Sequence, residues 1–216
     1  MDQAIFHVIN EQWTNRVLDL FMAAISASEI WKPFFAMIFL IALIFGGFKA
    51  RACILLLIIC LLITEQVTAA LKSAIGRSRP KQVETVRMVQ LQRTHPALLT
   101  LFHQPTIRLS NEGDRNRSGP SFPSGHVTTN TVIASCLTVF YRRRGAIYWI
   151  VAAAVGYSRI YLGAHWPSDV AATFFLAVGE TLVLLALAEL LWRFVVRKGM
   201  PQFFLRHPSL VIHPAS

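Results

Sequence analysis

Two histidines, one carboxylate and four strong cations lie in three short stretches of the chain. These are Lys72-Ser-Ala-Ile-Gly-Arg-Ser-Arg79-Pro80, Pro123-Ser124-Gly125-His126, and Ser158-Arg159 followed by His165 and Asp169. The residue types suit metal-free phosphoryl transfer. A histidine can attack phosphorus and form a covalent intermediate, which splits one hard step into two. Charge developing on the phosphoryl oxygens needs preorganised donors. A leaving alkoxide needs a proton, which a second histidine with a pKa near 6.5 supplies at neutral pH.

Each stretch has its own local logic. Ser124 is a good helix N-cap, and Gly125 lets backbone approach a ligand closely. The free N–H groups of a helix start form an anion site, with His126 aimed at the same ligand; taken alone, the turn reads equally as a simple helix cap. Pro80 stops the helix that carries Lys72, so Arg79 can fold back toward the helix end. Arg offers phosphate a planar fork and Lys a point charge. Arg77 and Lys81 read instead as basic residues snorkelling to a membrane interface. Arg159 is a cation within an apolar run, a costly placement that calls for a partner or an anionic ligand. Pro167 suits the first turn of a helix, which places Asp169 where it can reach back to the His165 imidazole. A carboxylate on one ring nitrogen fixes the tautomer and leaves the other nitrogen free to attack.

The elements that must hold these residues are membrane helices. The chain has 216 residues, 54% hydrophobic and 15% charged, against about 25% charged in a soluble domain. Six candidate spans follow from the apolar runs: 17–30, 33–48, 52–71, 127–141, 146–162 and 170–196. Asp19 makes the first of them the weakest. The expected class is therefore all-α, a single polytopic membrane domain over 1–216. Residues 1–16 are expected to form an interfacial segment, in which 3–13 reads as an amphipathic helix on the membrane surface or, about equally, as a frayed terminal helix. Residues 72–122 form a long loop with a short helix near 96–102, and 197–216 a tail. No basic stretch followed by an apolar run marks a cleavable signal peptide. Cys53, Cys60 and Cys136 all fall inside spans without a CxxC pair, so each reads as a small apolar core residue.

The net charge of +10 raises nucleic acid as a partner. The cations instead gather at span ends and in one loop, without an aromatic-interleaved platform, so anionic lipid and an anionic substrate are the expected partners. Lys49, Arg51, Arg142, Arg143, Arg144, Arg193, Arg197, Lys198 and Arg206 share one side under a six-span count. By the positive-inside rule that side is the cytoplasm, which also takes the N-terminus and leaves the three stretches facing outward. The long loop is itself basic, and its stretch 108–117 suggests an anionic headgroup. His95 and His103 read as solvated loop residues, His7, His207 and His213 as terminal ones, and Glu65 and Glu180 as structural hydrogen-bonding groups.

The order KxxxxxxRP, PSGH, SRxxxxxHxxxD resembles the three-part signature of the type 2 phosphatidic acid phosphatase superfamily, including its membrane-bound lipid phosphatase and undecaprenyl-diphosphatase-like branch. Every signature position is met, and the six-span layout extends the likeness over most of the chain. The resemblance implies that His165 is the nucleophile, that Asp169 orients it, and that His126 protonates the leaving group and later activates water. It implies that Lys72, Arg79, Ser124, Gly125 and Arg159 hold the phosphate, with no metal and no cofactor. The expected activity is removal of a phosphate from a phosphatidate-, phosphatidylglycerophosphate-, lipid A- or undecaprenyl-diphosphate-like lipid in a bacterial inner membrane, with the site on the periplasmic side. The alternative is transfer of the phosphoryl group to a second lipid. A haloperoxidase and a non-catalytic lipid-binding scaffold are the remaining readings; the apolar spans disfavour the first and the complete signature the second.

Overall fold

The computed structural model describes residues 1–92, 94, 96–116 and 118–211. Arg93, His95, Arg117 and His213 lie outside the described residues. The chain is mostly helical. At the N-terminus, α1 (Asp2–His7) runs into a π-helical turn over Val8–Gln12, followed by α2 (Arg16–Ser26), α3 (Ser28–Phe45) and α4 (Phe48–Ile75). A folded excursion follows, with α5 (Pro80–Val83), β1 (Arg87–Gln90), a 3-10 helix over Ala97–Phe102, β2 (Thr106–Leu109) and α6 (Glu112–Asn116). The bundle then closes with α7 (Gly125–Tyr141), α8 (Arg143–Ala146), α9 (Tyr148–Tyr161), α10 (Pro167–Gly199) and α11 (Pro201–Arg206).

Among the described residues, three helices are long and apolar enough to cross a bilayer: α3, the helix starting at Phe48, and α10. The 28 residues of α4 and 33 of α10 reach about 42 and 50 Å at 1.5 Å per residue. The 17 residues of α7 reach about 25 Å. The first expected span is divided. α2 has 11 residues, about 16 Å, and Ala27 leaves helical geometry before α3 begins. The cause is Asp19, which is buried with both oxygens 2.7 Å from Arg87 Nη2 and takes a 2.7 Å bond from the Tyr161 hydroxyl. That ion pair anchors α2 to the β1–β2 hairpin; as a span, α2 would have to bury the carboxylate in hydrocarbon.

α7 is the central helix, packed against α4, α9 and α10. One apolar core joins Cys53, Leu57, Cys60, Val132, Cys136, Phe140, Ala177 and Leu185; the three cysteines are free and buried, packing as small apolar groups. A second core lies at the motif end, where Phe6, Met22, Val86, Met88, Tyr161 and Trp166 meet. The outward faces of α3, α4 and α10 keep Leu40, Ile44, Leu62, Leu190 and Leu191 exposed, as lipid contact requires.

The expected loop over 72–122 is largely ordered. α4 continues past Lys72 to Ile75. β1 and β2 then pair antiparallel, Arg87 opposite Leu109 and Gln90 opposite Thr106. The short helix expected near 96–102 is present as the 3-10 turn. Four-residue strands carry too little alternation to stand out beside the long apolar runs. The N-terminus was expected opposite the motifs, yet the structure brings it to the motif end. Asp2 accepts from the Ser168 backbone N–H (2.9 Å) and from Arg77 Nη2 (2.7 Å), and Phe6 is fully buried against Trp166.

Candidate active site

Gly163 shapes the approach to His165. It adopts a left-handed φ of +70°, and a Cβ there would meet the Arg87 carbonyl oxygen at 3.0 Å. The glycine lets the turn after α9 pack on β1 and deliver Ala164, His165 and Trp166 to the bundle end. His165 is buried at 2% exposure. Its Nδ1 faces Ser121 Oγ at 3.4 Å, and the same hydroxyl donates to Asp169 Oδ2 at 2.5 Å. Asp169 was expected to reach the imidazole itself. Its oxygens instead receive Ser121 Oγ, the Trp166 N–H at 3.2 Å and Arg77 Nη1 at 2.6 Å, so its link to the imidazole runs through Ser121. The Trp166 bond also caps α10. Burial pushes the His165 pKa well below 6.5, and the positive charges of Arg79 and Arg159 push the same way. The ring is therefore neutral at physiological pH, as a nucleophile must be.

Arg77 is a correction. Snorkelling was the expectation; the guanidinium in fact turns inward to Asp169, Ser168 and Asp2. Sequence reasoning missed Ser121 altogether. Its signal was faint, a serine two positions before the proline of Pro123-Ser124-Gly125-His126, and its role depends on a contact between residues 44 and 48 apart.

Around these groups the phosphate-binding candidates converge. Arg79 caps α5 and reaches three carbonyl oxygens, Gly119 at 2.9 Å, Ala164 at 3.2 Å and Pro120 at 3.3 Å. It thereby ties the segment before Ser124 to the segment before His165. Lys72 and Arg159 act electrostatically on both His126 and His165, as does Arg79. Arg159 donates from Nη1 to Ser26 Oγ, while its Nε is buried with no partner. Ser124 stands at the expected cap position, but its side chain does not cap. Its N–H donates to Thr173 Oγ1 (3.0 Å), its carbonyl accepts the first α7 bond from Thr128 (2.9 Å), and its fully buried Oγ has no partner. A Cβ at Gly125 would enter open space. Three mutually repelling cations, two orphaned buried donors and an open helix start are costly in an empty site and favourable around an anion.

His126 lies in the first turn of α7, where its carbonyl accepts from Asn130 Nδ2 at 2.9 Å, and Asn130 Oδ1 takes the Tyr148 hydroxyl at 3.0 Å. Gly125 and His126 line one end of a cavity of about 680 Å³. Its other walls are chiefly apolar, with Phe21, Trp31, Phe35, Ile133 and Val155 among them. Gly125, His126 and Ser26, the partner of Arg159, thus line a largely apolar cavity at the edge of the candidate site.

Other candidates resolve simply. Arg108 forks onto Asp114 at 2.5 and 2.8 Å and holds that carboxyl well below the usual range, so it is satisfied within the hairpin region. His7 pairs with Glu11 and Glu84, and His103 Nδ1 meets the Leu99 carbonyl at 3.0 Å. His207 stacks on Phe48 at 4.0 Å. Glu65 is exposed on α4, where a structural hydrogen bond was expected and the described residues show none. Among the described residues, no group of three His, Cys, Asp or Glu side chains forms a metal site.

Comparison with known proteins adds to this geometry. Residues 51–193 match the PAP2 superfamily. The chain is similar to the lipid A 4'-phosphatase of Bacteroides thetaiotaomicron, 30% identical over 71% of this chain. It spans 62% of that relative's length. A shorter stretch, 27% of this chain and 29% of the relative, is 41% identical to the bacitracin transport permease protein BcrC of Bacillus licheniformis. Among solved structures, Aquifex aeolicus LpxE matches with a TM-score of 0.61 at 22% identity, covering 86% of this chain and 94% of that one. The PAP2 type phosphatidylglycerolphosphate phosphatase of Bacillus subtilis matches with 0.59 at 21% identity, covering 87% and 84%. At these identities the two structures speak to the fold.

Proposed function

The chain belongs to the PAP2 superfamily, and from that premise we propose that it is a membrane phosphatase that removes phosphate from a lipid. The observation that carries the reading is that Lys72, Arg79 and Arg159, the last with a partnerless Nε, lie within electrostatic reach of one another and of His126, and that His126 also lines the apolar cavity. A phosphate with an apolar tail matches both.

In the proposed cycle, His165 Nε2 attacks phosphorus as the bond to the lipid oxygen breaks, and His126 gives that oxygen its proton. Water then attacks the phosphohistidine, His126 takes the water's proton, and the N–P bond breaks to release inorganic phosphate. Lys72, Arg79, Arg159, Ser124 Oγ and the Gly125 backbone hold the phosphoryl oxygens through both steps, supplying the positive charge a metal supplies elsewhere. Phosphatidate-, phosphatidylglycerophosphate-, lipid A- and undecaprenyl-diphosphate-like lipids all present this combination.

The relative's lipid A 4'-phosphatase name and the cavity support a substrate held at headgroup depth. For topology, the proposal departs from six crossings. A single integral domain crosses with α3, α4, α7, α9 and α10, while α1 and α2 stay at the motif end. Lys49, lying over the Tyr141 ring at 5.3 Å, joins the first turn of α4 to the end of α7. Together with Arg142, Arg143 and Arg144 it marks the opposite end as cytoplasmic. The site then faces the periplasm of an inner membrane.

Lipid phosphates carrying a labelled phosphate, offered in micelles with chelator present, test the proposal. Label in free phosphate is the expected outcome; label in a second lipid would make the protein a transferase, and loss of all turnover on chelation would contradict the metal-free cycle.

A further inference from the structure

The first residues of the chain reach the site through an unbroken series of polar contacts. Asp2 Oδ2 accepts from Arg77 Nη2 at 2.7 Å, and Arg77 Nη1 donates to Asp169 Oδ1 at 2.6 Å. Asp169 Oδ2 accepts from Ser121 Oγ at 2.5 Å, and Ser121 Oγ faces His165 Nδ1 at 3.4 Å. Asp2 also takes the Ser168 N–H and hydroxyl, at 2.9 and 2.5 Å, which fixes the first turn of α10 that carries Asp169. The Ser121 N–H donates to the Arg77 carbonyl at 2.7 Å, so Arg77 and Ser121 are tied by backbone as well as by side chain. Ser121 and Asp169 are fully buried.

We propose that Asp2, Arg77 and Ser121 are positioning residues for His165, acting as one charge-alternating series that ends on Nδ1. The inference rests on the reading of His165 as nucleophile. The polarity follows from the donors. Arg77 can only donate, so it holds Asp169 as an acceptor. Ser121 spends its one hydroxyl proton on Asp169, so it offers the imidazole a lone pair. The ring then carries its proton on Nδ1, toward Ser121, and keeps Nε2 free for phosphorus. Asp2 adds the second anion that Arg77 needs to sit between two carboxylates, and it anchors the series to the N-terminal segment packed under Trp166.

The test uses full-length protein in micelles with ¹⁵N-labelled histidine, the His165 signal being identified by its loss in His165→Ala. The wild type is expected to show the Nδ1–H tautomer, and Ser121→Ala and Arg77→Gln to shift or mix it. Phosphate release from dioleoyl phosphatidate is expected to lose on the order of tenfold in kcat in Ser121→Ala and Arg77→Gln, with KM within about twofold. Asp2→Asn should lose less, and adding it to Arg77→Gln should cost nothing more, because the series is already cut. Arg77→Lys should restore part of the kcat. Unfolding midpoints of each variant separate these effects from loss of fold. An unchanged His165 spectrum in Ser121→Ala and Arg77→Gln would overturn the proposal, and that readout needs no substrate. An inactive His165→Ala beside an unaffected Asp2→Asn and Ser121→Ala would sink the series alone; an active His165→Ala would sink the reading beneath it.

Discussion

At the residue scale, chemistry was legible where spacing alone implies contact and obscure where contact comes from the fold. Lys72, Arg79, Ser124, Gly125, His126, Arg159, His165 and Asp169 were all singled out from three local stretches. The cations among them lie within electrostatic reach of both imidazoles. What the stretches could not show is that Asp169 meets Ser121 and Arg77 before it meets His165, or that the Ser124 hydroxyl makes no cap to its helix. The buried, neutral state of His165 gives a pH prediction with a definite sign. Its folded pKa lies well below 6.5 through burial and the nearby cations, so below pH 6.5 the unfolded chain binds a proton that the folded chain refuses. Stability is complete above pH 6.5 and falls as the pH drops from there toward the folded value. The acid limb of kcat/KM in the free enzyme is expected below pH 6.5, with activity declining about tenfold per pH unit beyond it. A limb centred at or above pH 6.5 in a pH–rate profile would contradict the assignment of His165.

At the element scale, the apolar runs identified the long helices and misjudged the first one. Hydropathy alone cannot see that Asp19 finds Arg87, 68 residues away, and that single pairing converts an expected span into a short helix at the motif end. The hairpin was hidden for a related reason, since its register depends on pairing between short strands rather than on local pattern. The account therefore predicts sidedness. Gln12→Cys, in the turn before α2, should react with an impermeant maleimide from the motif side of the membrane. Arg143→Cys, at the start of α8, should react only from the other. Labelling of both positions from one side would restore the six-span arrangement and move α2 into the bilayer.

At the scale of the whole molecule, the bundle does two things at once. It gathers cations at one end of the bundle, and it leaves a largely apolar cavity that Gly125 and His126 line. Neither alone specifies a function, because a cationic pocket binds any anion and an apolar cavity any chain. Their meeting at Gly125 and His126 is the basis for proposing a phosphate with a lipid tail as the substrate. The central claim is that the phosphoryl group passes through His165. Rapid quench of the protein with a lipid carrying labelled phosphate tests it most directly. The account predicts an acid-labile, alkali-stable label on the peptide containing His165, abolished in His165→Ala together with phosphate release. Steady release of phosphate by His165→Ala, or label on another residue, would contradict it.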